Sequence, residues 1–175
     1  GNCSQDKQVV CSAGVKDDFS LTNGLEVSSP SQLLLNNYLS QCSAGVQPGF
    51  DVFANDRCFG HTFTNCIKQT NCRIKSAFLN ICLMAAQVPL THTDSLALGF
   101  NGVPAWGKSM VSLNGGTWNS GEVLCMSMDL DNLPVDGASI LGDFEAYGHL
   151  DVAVQDDTAV DYLKLVVNYD DCEGA

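Results

Sequence analysis

Apolar and polar residues alternate most clearly over residues 150–167, LDVAVQDDTAVDYLKLVV. The apolar positions fall at every second residue in both arms: Leu150, Val152 and Val154 in the first, Leu163, Leu165 and Val167 in the second. A period of two residues is typical of a half-buried strand. Between the arms, Asp156, Asp157 and Thr158 carry short side chains that bond to nearby backbone, and Asp161 follows. We therefore predict an antiparallel hairpin with an acidic corner.

The same pattern predicts further strands over residues 73–86, 95–100, 106–113 and 123–130. The first of these is apolar on both faces, which indicates a central strand of a covered sheet. A Gly-Pro turn at 101–104 and the Asn114-Gly115-Gly116 turn separate neighbouring strands. The mixed stretch 41–71 reads as a loop. Together these features predict an all-β, jelly-roll-like antiparallel β-sandwich.

One short helix is predicted over residues 30–39. Ser29 is a natural N-cap, Pro30 suits the first helical position, and Gln32 completes a capping box. Leu34, Leu35, Tyr38 and Leu39 then share one face. We expect this helix to lie across an end or an edge of the sandwich.

The N-terminal segment 1–16 is an alternating strand that follows a polar lead-in. Its small apolar positions are Val9, Cys11, Ala13 and Val15. The segment is either the ordinary first strand of the domain or an arm that pairs with the sheet edge of a neighbouring copy. Our hypothesis is the second, with the sandwich itself spanning residues 17–175.

Charge is distributed unevenly along the chain, whose net charge is −12. Acids and bases balance up to Gln87, and from Val88 onward fourteen acids face only Lys108 and Lys164. Binding of nucleic acid needs a positive surface, so this class of partner is excluded. An acidic second half suits cations or a partner with a basic face, although it also simply keeps a protein soluble.

Nine cysteines are present, and none forms a C-x-x-C motif. Their spacing fits a disulfide framework better than a zinc site. We expect disulfides among Cys3, Cys11, Cys42, Cys58, Cys66, Cys72 and Cys172. Cys82 and Cys125 lie inside apolar strands and read as buried free thiols; alternatively, one cysteine bonds to a neighbouring chain. Disulfides place the protein in an oxidising, extracellular compartment.

The opening Gly1-Asn2-Cys3 is polar, so we expect any export signal to have been removed. No apolar run approaches the length of a membrane helix, and no membrane insertion is expected. Asn2-Cys3-Ser4 is a glycosylation sequon, which makes Asn2 a candidate glycosylation site.

A calcium site is predicted where acidic strand ends converge. Calcium takes six to eight hard oxygens at flexible geometry, and the ends of strands at one rim of a sandwich supply them. The candidate ligands are Asp94, Asp129, Asp131, Asp156, Asp157 and Asp161, with Asn132 beside them. The alternative is that these side chains make Asx turns and solvate loops.

The segment DDTAVDYLKLVV, residues 156–167, resembles the last strands of calcium-bearing jelly-roll carbohydrate-binding modules. The resemblance implies a sandwich with a structural calcium and a glycan site. Aromatic side chains stack on sugars. The candidates are Trp106, Trp118, Tyr147 and Tyr162, each of which is otherwise a core or rim residue.

These features predict a secreted, non-enzymatic subunit that self-assembles into an extracellular filament, sheath or surface layer. The alternative, from another class, is a calcium-dependent glycan-binding or adhesion module. An enzyme is not expected, because the three histidines are scattered and no nucleophile motif is present. Glu122 and Glu145 are the obvious carboxylates for a glycosidase, a distant third class.

Overall fold

The computed structural model describes residues 3–21, 37–38, 45–47, 49–52, 57–64, 66–67, 72–86, 94–155 and 157–172. Their elements follow in chain order: β1 (Cys3–Gly14), β2 (Gly45–Val46), β3 (Arg57–Phe63), β4 (Cys72–Ala85), β5 (Ser95–Phe100), β6 (Val103–Ser109), α1 (Met110–Leu113), β7 (Val123–Asp129), α2 (Leu141–Tyr147), β8 (Leu150–Gln155) and β9 (Thr158–Cys172). In this described part of the chain no helix is long and apolar enough to cross a membrane.

The strands form two sheets, a four-stranded sheet in the order β1-β9-β4-β7 and a five-stranded sheet in the order β2-β3-β8-β5-β6. All neighbouring strands are antiparallel except β2 and β3, which are parallel. The predicted all-β antiparallel sandwich with disulfides is therefore confirmed. The finer assignment as a jelly roll stays a prediction.

The core lies between the two sheets and takes one face of each strand. On β4 the inward residues Ala77, Leu79, Ile81 and Leu83 have no measurable exposure. They meet residues of the other sheet such as Leu96, Leu98, Val152 and Val154 in one continuous apolar cluster. Because fully burying each large side chain contributes about 1.5–3 kcal/mol, this cluster is the main source of stability. The predicted position of 73–86 within a sheet is confirmed.

A buried carboxylate anchors the outer face of the five-stranded sheet. Asp151 on β8 is only 3% exposed. It accepts hydrogen bonds from the Tyr38 hydroxyl at 2.6 Å, the Thr62 hydroxyl at 2.8 Å and the Gly102 N–H at 3.0 Å. Burial, and then the bond to Asp151, raises the pKa of Tyr38. A buried charge is tolerated when hydrogen-bonded in this way, so Asp151 joins Tyr38, β3 and the β5–β6 turn.

The predicted hairpin over 150–167 is wrong in its pairing. Both arms are strands, with Leu150, Val152 and Val154 inward on β8 and Leu163, Leu165 and Val167 inward on β9. However, β8 lies in the five-stranded sheet and β9 in the four-stranded sheet. The acidic corner therefore carries the chain from one sheet to the other. A strand of either sheet shows the same alternation, so the pattern does not identify its partner.

Two other expectations about elements need correction, and one element was not predicted. The predicted strand 106–113 ends at Ser109, whose hydroxyl accepts from the Ser112 N–H at 3.1 Å and caps α1. The predicted loop 41–71 contains β2 and β3, whose Cys58, Phe59 and Gly60 are all buried and break the alternation. Helix α2 was not predicted. The predicted helix 30–39 lies outside the described residues except for Asn37 and Tyr38, which are helical.

Two disulfides are described in full, Cys11–Cys66 and Cys82–Cys125, and Cys58 is also disulfide-bonded. The free-thiol interpretation of Cys82 and Cys125 is wrong, because the register of β4 and β7 places these residues directly opposite each other. The register of β1 and β9 likewise places the backbone of Cys3 opposite that of Cys172. Cys42 and Asn2 lie outside the described residues, as do the side chains of Cys3, Cys72 and Cys172.

Candidate functional site

The edges of the four-stranded sheet are β1 on one side and β7 on the other. β1 pairs with β9 from Cys3 opposite Cys172 to Gly14 opposite Tyr162, and β7 pairs with β4. Within the ranges that the structure describes, no strand pairs with the second side of β1 or of β7. Each edge therefore presents backbone N–H and C=O groups that are a template for another strand.

Much of each edge lacks the side chains that normally block such pairing, because its charges lie towards one end of the strand, Asp6 and Lys7 on β1 and Asp129 on β7. Residues 8–14, QVVCSAG, and residues 123–128, VLCMSM, contain no charge and no proline. The five-stranded sheet differs, because its edge strand β2 has only two residues and its edge strand β6 carries Pro104 and Lys108. Short strands, proline and lysine are the usual protection of an exposed edge. The unprotected edges thus belong to one sheet only.

The predicted inter-subunit residues lie on β1 and just beyond it. Val9, Cys11 and Ala13 pack against the core of their own chain, while Val15 is 50% exposed. In this chain the segment lies within its own domain: β1 is paired with β9 over most of its length, and its inward side chains pack against its own core. The part of this segment that is available to a neighbouring copy is the unpaired backbone edge of β1, beside which Val10 is 45% exposed.

Those predicted calcium ligands that the structure describes do not converge on one site. Asp129 accepts from the Asp131 N–H at 2.9 Å, and Asp131 accepts from the Ser139 hydroxyl at 2.6 Å. Asp94 accepts from the Thr158 hydroxyl at 3.2 Å. These carboxylates hold turns and strand ends, which was the alternative interpretation. Among the described residues, Asp94, Asp129, Asp131 and Asp157 form no acidic group with Asp161, and Asp156 lies outside those residues.

Asp161 instead lies in a cluster with Asp17 and Asp51, whose carboxylate oxygens are within 4.8 Å of one another. Asp51 and Asp161 are 1% and 3% exposed. Asp161 accepts from the Phe19 N–H at 3.0 Å and the Asp17 N–H at 3.4 Å. Carboxylate oxygens are what calcium prefers, although three are fewer than its usual six to eight ligands. The sequence did not predict Asp17 or Asp51 here, because they come from loops far from Asp161 along the chain.

Of the four aromatic candidates for sugar stacking, two are core residues. Trp106 and Trp118 are 5% and 3% exposed, and their ring N–H groups donate to Asp136 and Thr158. Tyr147 is different, since it is 51% exposed and stacks on Phe100 with ring centroids 5.3 Å apart. These two rings border an open groove of about 210 Å³ that is also lined by Ser139 and Asp143. Tyr162 is half-buried on the outer face of the four-stranded sheet.

The two glutamates considered for hydrolysis have structural contacts. Glu122 accepts from the side chains of Asn114, Thr117 and Asn119, so it holds the loop before β7. Glu145 accepts from the Ile74 N–H at 2.9 Å and ties α2 to β4. Each carboxylate thus has a role in connecting elements.

Comparison with known proteins finds no matching family model and no matching curated protein. Among solved structures, the chain is similar to dimeric latent PorU from Porphyromonas gingivalis, with a TM-score of 0.41 and 11% identity over 98% of this chain. The chain spans 14% of the length of that protein's chain. A likeness at this level carries no argument about function.

Proposed function

We propose that the protein is a secreted, non-enzymatic structural subunit whose copies join edge to edge, β1 of one copy against β7 of the next, into an extracellular filament. The observation that carries the proposal is the contrast between the two sheets. Residues 8–14 of β1 and 123–128 of β7 are uncharged and free of proline, whereas the edges of the five-stranded sheet are short or protected. Proteins that work alone normally protect such edges.

The strand directions favour a head-to-tail junction. Successive strands β1, β9, β4 and β7 are antiparallel, so β1 and β7 run in opposite directions. A second copy added in the same orientation therefore brings its β1 antiparallel to β7, and the alternation continues across the junction. In a heterologous contact of this kind, each copy uses a different edge towards each neighbour, so every added copy leaves one edge free for the next. Such contacts give a filament when the rotation between successive copies does not close into a ring.

The register of the sheet also predicts which residues meet at the junction. Phe78 of β4 lies opposite both Val166 and Asp129, and Val166 lies opposite Val10. If this row continues into the next copy, Val10 comes opposite its Asp129. Like charges placed opposite each other on neighbouring strands destabilise pairing, and a lysine on an edge strand opposes pairing in the same way, so each edge has its own blocking substitution.

The test uses two variants that each block one edge. Val10→Glu adds a carboxylate facing the neighbour's Asp129, and Val123→Lys places a lysine on the exposed edge of β7 itself. Each variant alone is expected to stay monomeric in analytical ultracentrifugation, because every junction needs both edges. An equimolar mixture is expected to form 1:1 heterodimers and nothing larger, since one intact β1 then meets one intact β7.

The matched control is Val103→Glu on β6, which changes an edge valine of the other sheet that is 62% exposed. This variant is expected to assemble as the wild type does. Circular dichroism of all three variants checks that they fold, as exposed substitutions normally change stability by only about 0.5 kcal/mol. Wild-type chains that remain monomeric at every concentration would overturn the proposal.

Secretion is part of the same proposal. The disulfides Cys11–Cys66 and Cys82–Cys125 support it, since such bonds persist in oxidising compartments and are rare in the cytosol. The acidic surface suits an extracellular subunit, because net charge opposes uncontrolled aggregation while leaving the edges available.

A second candidate function is the calcium-dependent glycan-binding module, and the exposed Tyr147 favours it. A tyrosine ring that stacks on Phe100 is held in place, and Ser139 and Asp143 offer hydrogen bonds beside it. This arrangement suits a sugar ring. Tyr147→Ala is expected to abolish retention on a glycan array, and the calcium dependence is checked by chelation and by Asp161→Asn. Val103→Ala in the same groove is the control for a general loss of apolar surface.

A further inference from the structure

The positive charges of this acidic chain are not spread evenly over the structure. Among the described residues, ion pairs join Lys75 to Asp6 at 2.6 Å and Lys108 to Asp136 at 2.8 Å. Lys16 and Lys164 form no ion pair with a described residue, and they line the same cleft. In a chain of net charge −12, two such lysines at one place are a local exception.

The cleft lies on the outer face of the four-stranded sheet and has a volume of about 360 Å³. Ser12, Lys164 and Asn80 form one row across β1, β9 and β4, with Tyr162 in the next row. A volume of this size is at the lower end of the range of small-molecule sites, roughly 300–1,000 Å³. Because the Ser12, Lys164, Asn80 and Tyr162 side chains stand on regular neighbouring strands, the strand register fixes their spacing.

Tyr162 provides a flat wall that is fixed by packing. Its ring packs against a small apolar cluster of Phe19, Cys82 and Ala159 on this face, which is separate from the main core. The Nζ of Lys16 lies 5.9 Å from the ring centroid. This ammonium lies over the ring at the end of an exposed, flexible side chain, which moves aside when a sugar stacks on the ring. A held aromatic ring with such an ammonium at hand is suited to the face of a sugar that carries a negative group.

We propose that this cleft binds an acidic saccharide, with the sugar face on Tyr162 and its carboxylate between Lys16 and Lys164. All the lining side chains that bear charge are positive, and no described carboxylate lines the cleft. The Asn80 amide and the Ser12 hydroxyl supply bonds to sugar hydroxyls. The cleft shares β1 with the proposed edge junction, but it uses side chains on the outer face of the sheet, whereas the junction uses the backbone edge of β1.

The test is isothermal titration of the wild-type protein at low ionic strength with sodium glucuronate, glucose and sodium acetate. Glucuronate is expected to bind at least about tenfold more tightly than either of the others, a difference of about 1.4 kcal/mol. Equal binding of acetate would show a simple anion site, and equal binding of glucose would show a neutral sugar site. Either result, or no binding of glucuronate, overturns the proposal.

Variants locate the site. Lys164→Gln and Tyr162→Leu are each expected to lower glucuronate affinity by about tenfold or more. Arg57→Gln, an equal loss of charge at the exposed first residue of β3, is expected to leave the affinity unchanged. Unchanged affinity in Lys164→Gln would overturn the assignment to this cleft. Sedimentation of the same samples reports the filament separately, so failure of the cleft and failure of the assembly are distinguishable.

Discussion

Two buried carboxylates, Asp151 and Asp161, each hold segments that are far apart along the chain. Asp161 accepts from the Phe19 N–H, across 142 residues of sequence, and Asp151 accepts from Tyr38, across 113. Asp161 accepts from two backbone N–H groups, and Asp151 accepts from two hydroxyls and one backbone N–H. At the scale of single residues, the acids that matter for the fold are therefore the buried ones, and exposed acids such as Asp131 serve local turns.

Asp161→Ala is expected to lower the free energy of unfolding by about 1–3 kcal/mol, because it leaves the Phe19 N–H without its carboxylate acceptor. Urea unfolding followed by fluorescence measures this difference. Asp131→Ala is the matched control: its carboxylate accepts from the exposed Ser139 hydroxyl, and its removal is expected to cost only about 0.5 kcal/mol or less. Equal effects of the two substitutions would contradict the role assigned to Asp161.

His61 makes stability depend on pH. It packs beside Phe63, with ring centroids 4.8 Å apart, and burial lowers its pKa from the usual 6.5. Below that value the unfolded chain binds a proton at His61 that the folded protein resists, so stability falls as the pH drops. The free energy of unfolding is expected to be lower at about pH 5.5 than at about pH 7.5, and His61→Phe is expected to reduce this difference. An unchanged pH dependence in the variant would contradict the prediction.

At the scale of elements, alternation predicts a buried face and leaves the neighbouring strand undetermined. The strands at 73–86, 95–100 and 123–130 were predictable because their apolar positions recur every second residue. The supposed hairpin failed because β8 and β9 belong to different sheets. The described members of the predicted calcium set do not meet for a related reason, since strand order decides which strand ends are neighbours. Asp17 and Asp51 reach Asp161 from loops, which have no periodic pattern to reveal this. The edges of the four-stranded sheet became visible only when the strand order was known.

The Cys82–Cys125 disulfide joins the edge strand β7 to β4, and its two residues are separated by 43 positions. In the chain-entropy model, losing a loop constraint of this size costs about 4 kcal/mol. The double variant Cys82→Ala/Cys125→Ala is expected to unfold at correspondingly lower urea concentration. If the stability of the double variant equals that of the wild type, this bond does not secure β7. Hydrogen exchange of the β7 amides in the double variant shows whether the edge strand itself has loosened.

At the scale of the whole molecule, charge and edge pairing oppose each other. Copies of net charge −12 repel, while the two unprotected edges of the four-stranded sheet attract through backbone hydrogen bonds. Repulsion between exposed charges is screened by salt, whereas hydrogen bonding and apolar contact at a closed junction are screened much less. The two interactions therefore respond differently to ionic strength.

Assembly is expected to become stronger as salt rises from about 0.01 M to about 0.15 M, over which the Debye length falls from roughly 30 Å to roughly 8 Å. The critical concentration for sedimentable particles measures this effect. Glucuronate binding at Lys16 and Lys164 is expected to weaken over the same range, because that contact is an attraction between opposite charges. Because salt is expected to strengthen assembly and to weaken glucuronate binding in the same protein, the two salt dependences distinguish the edge junction from the cleft. Assembly that weakens with salt would instead mean that ion pairs join the copies, and the edge-to-edge junction would then be wrong.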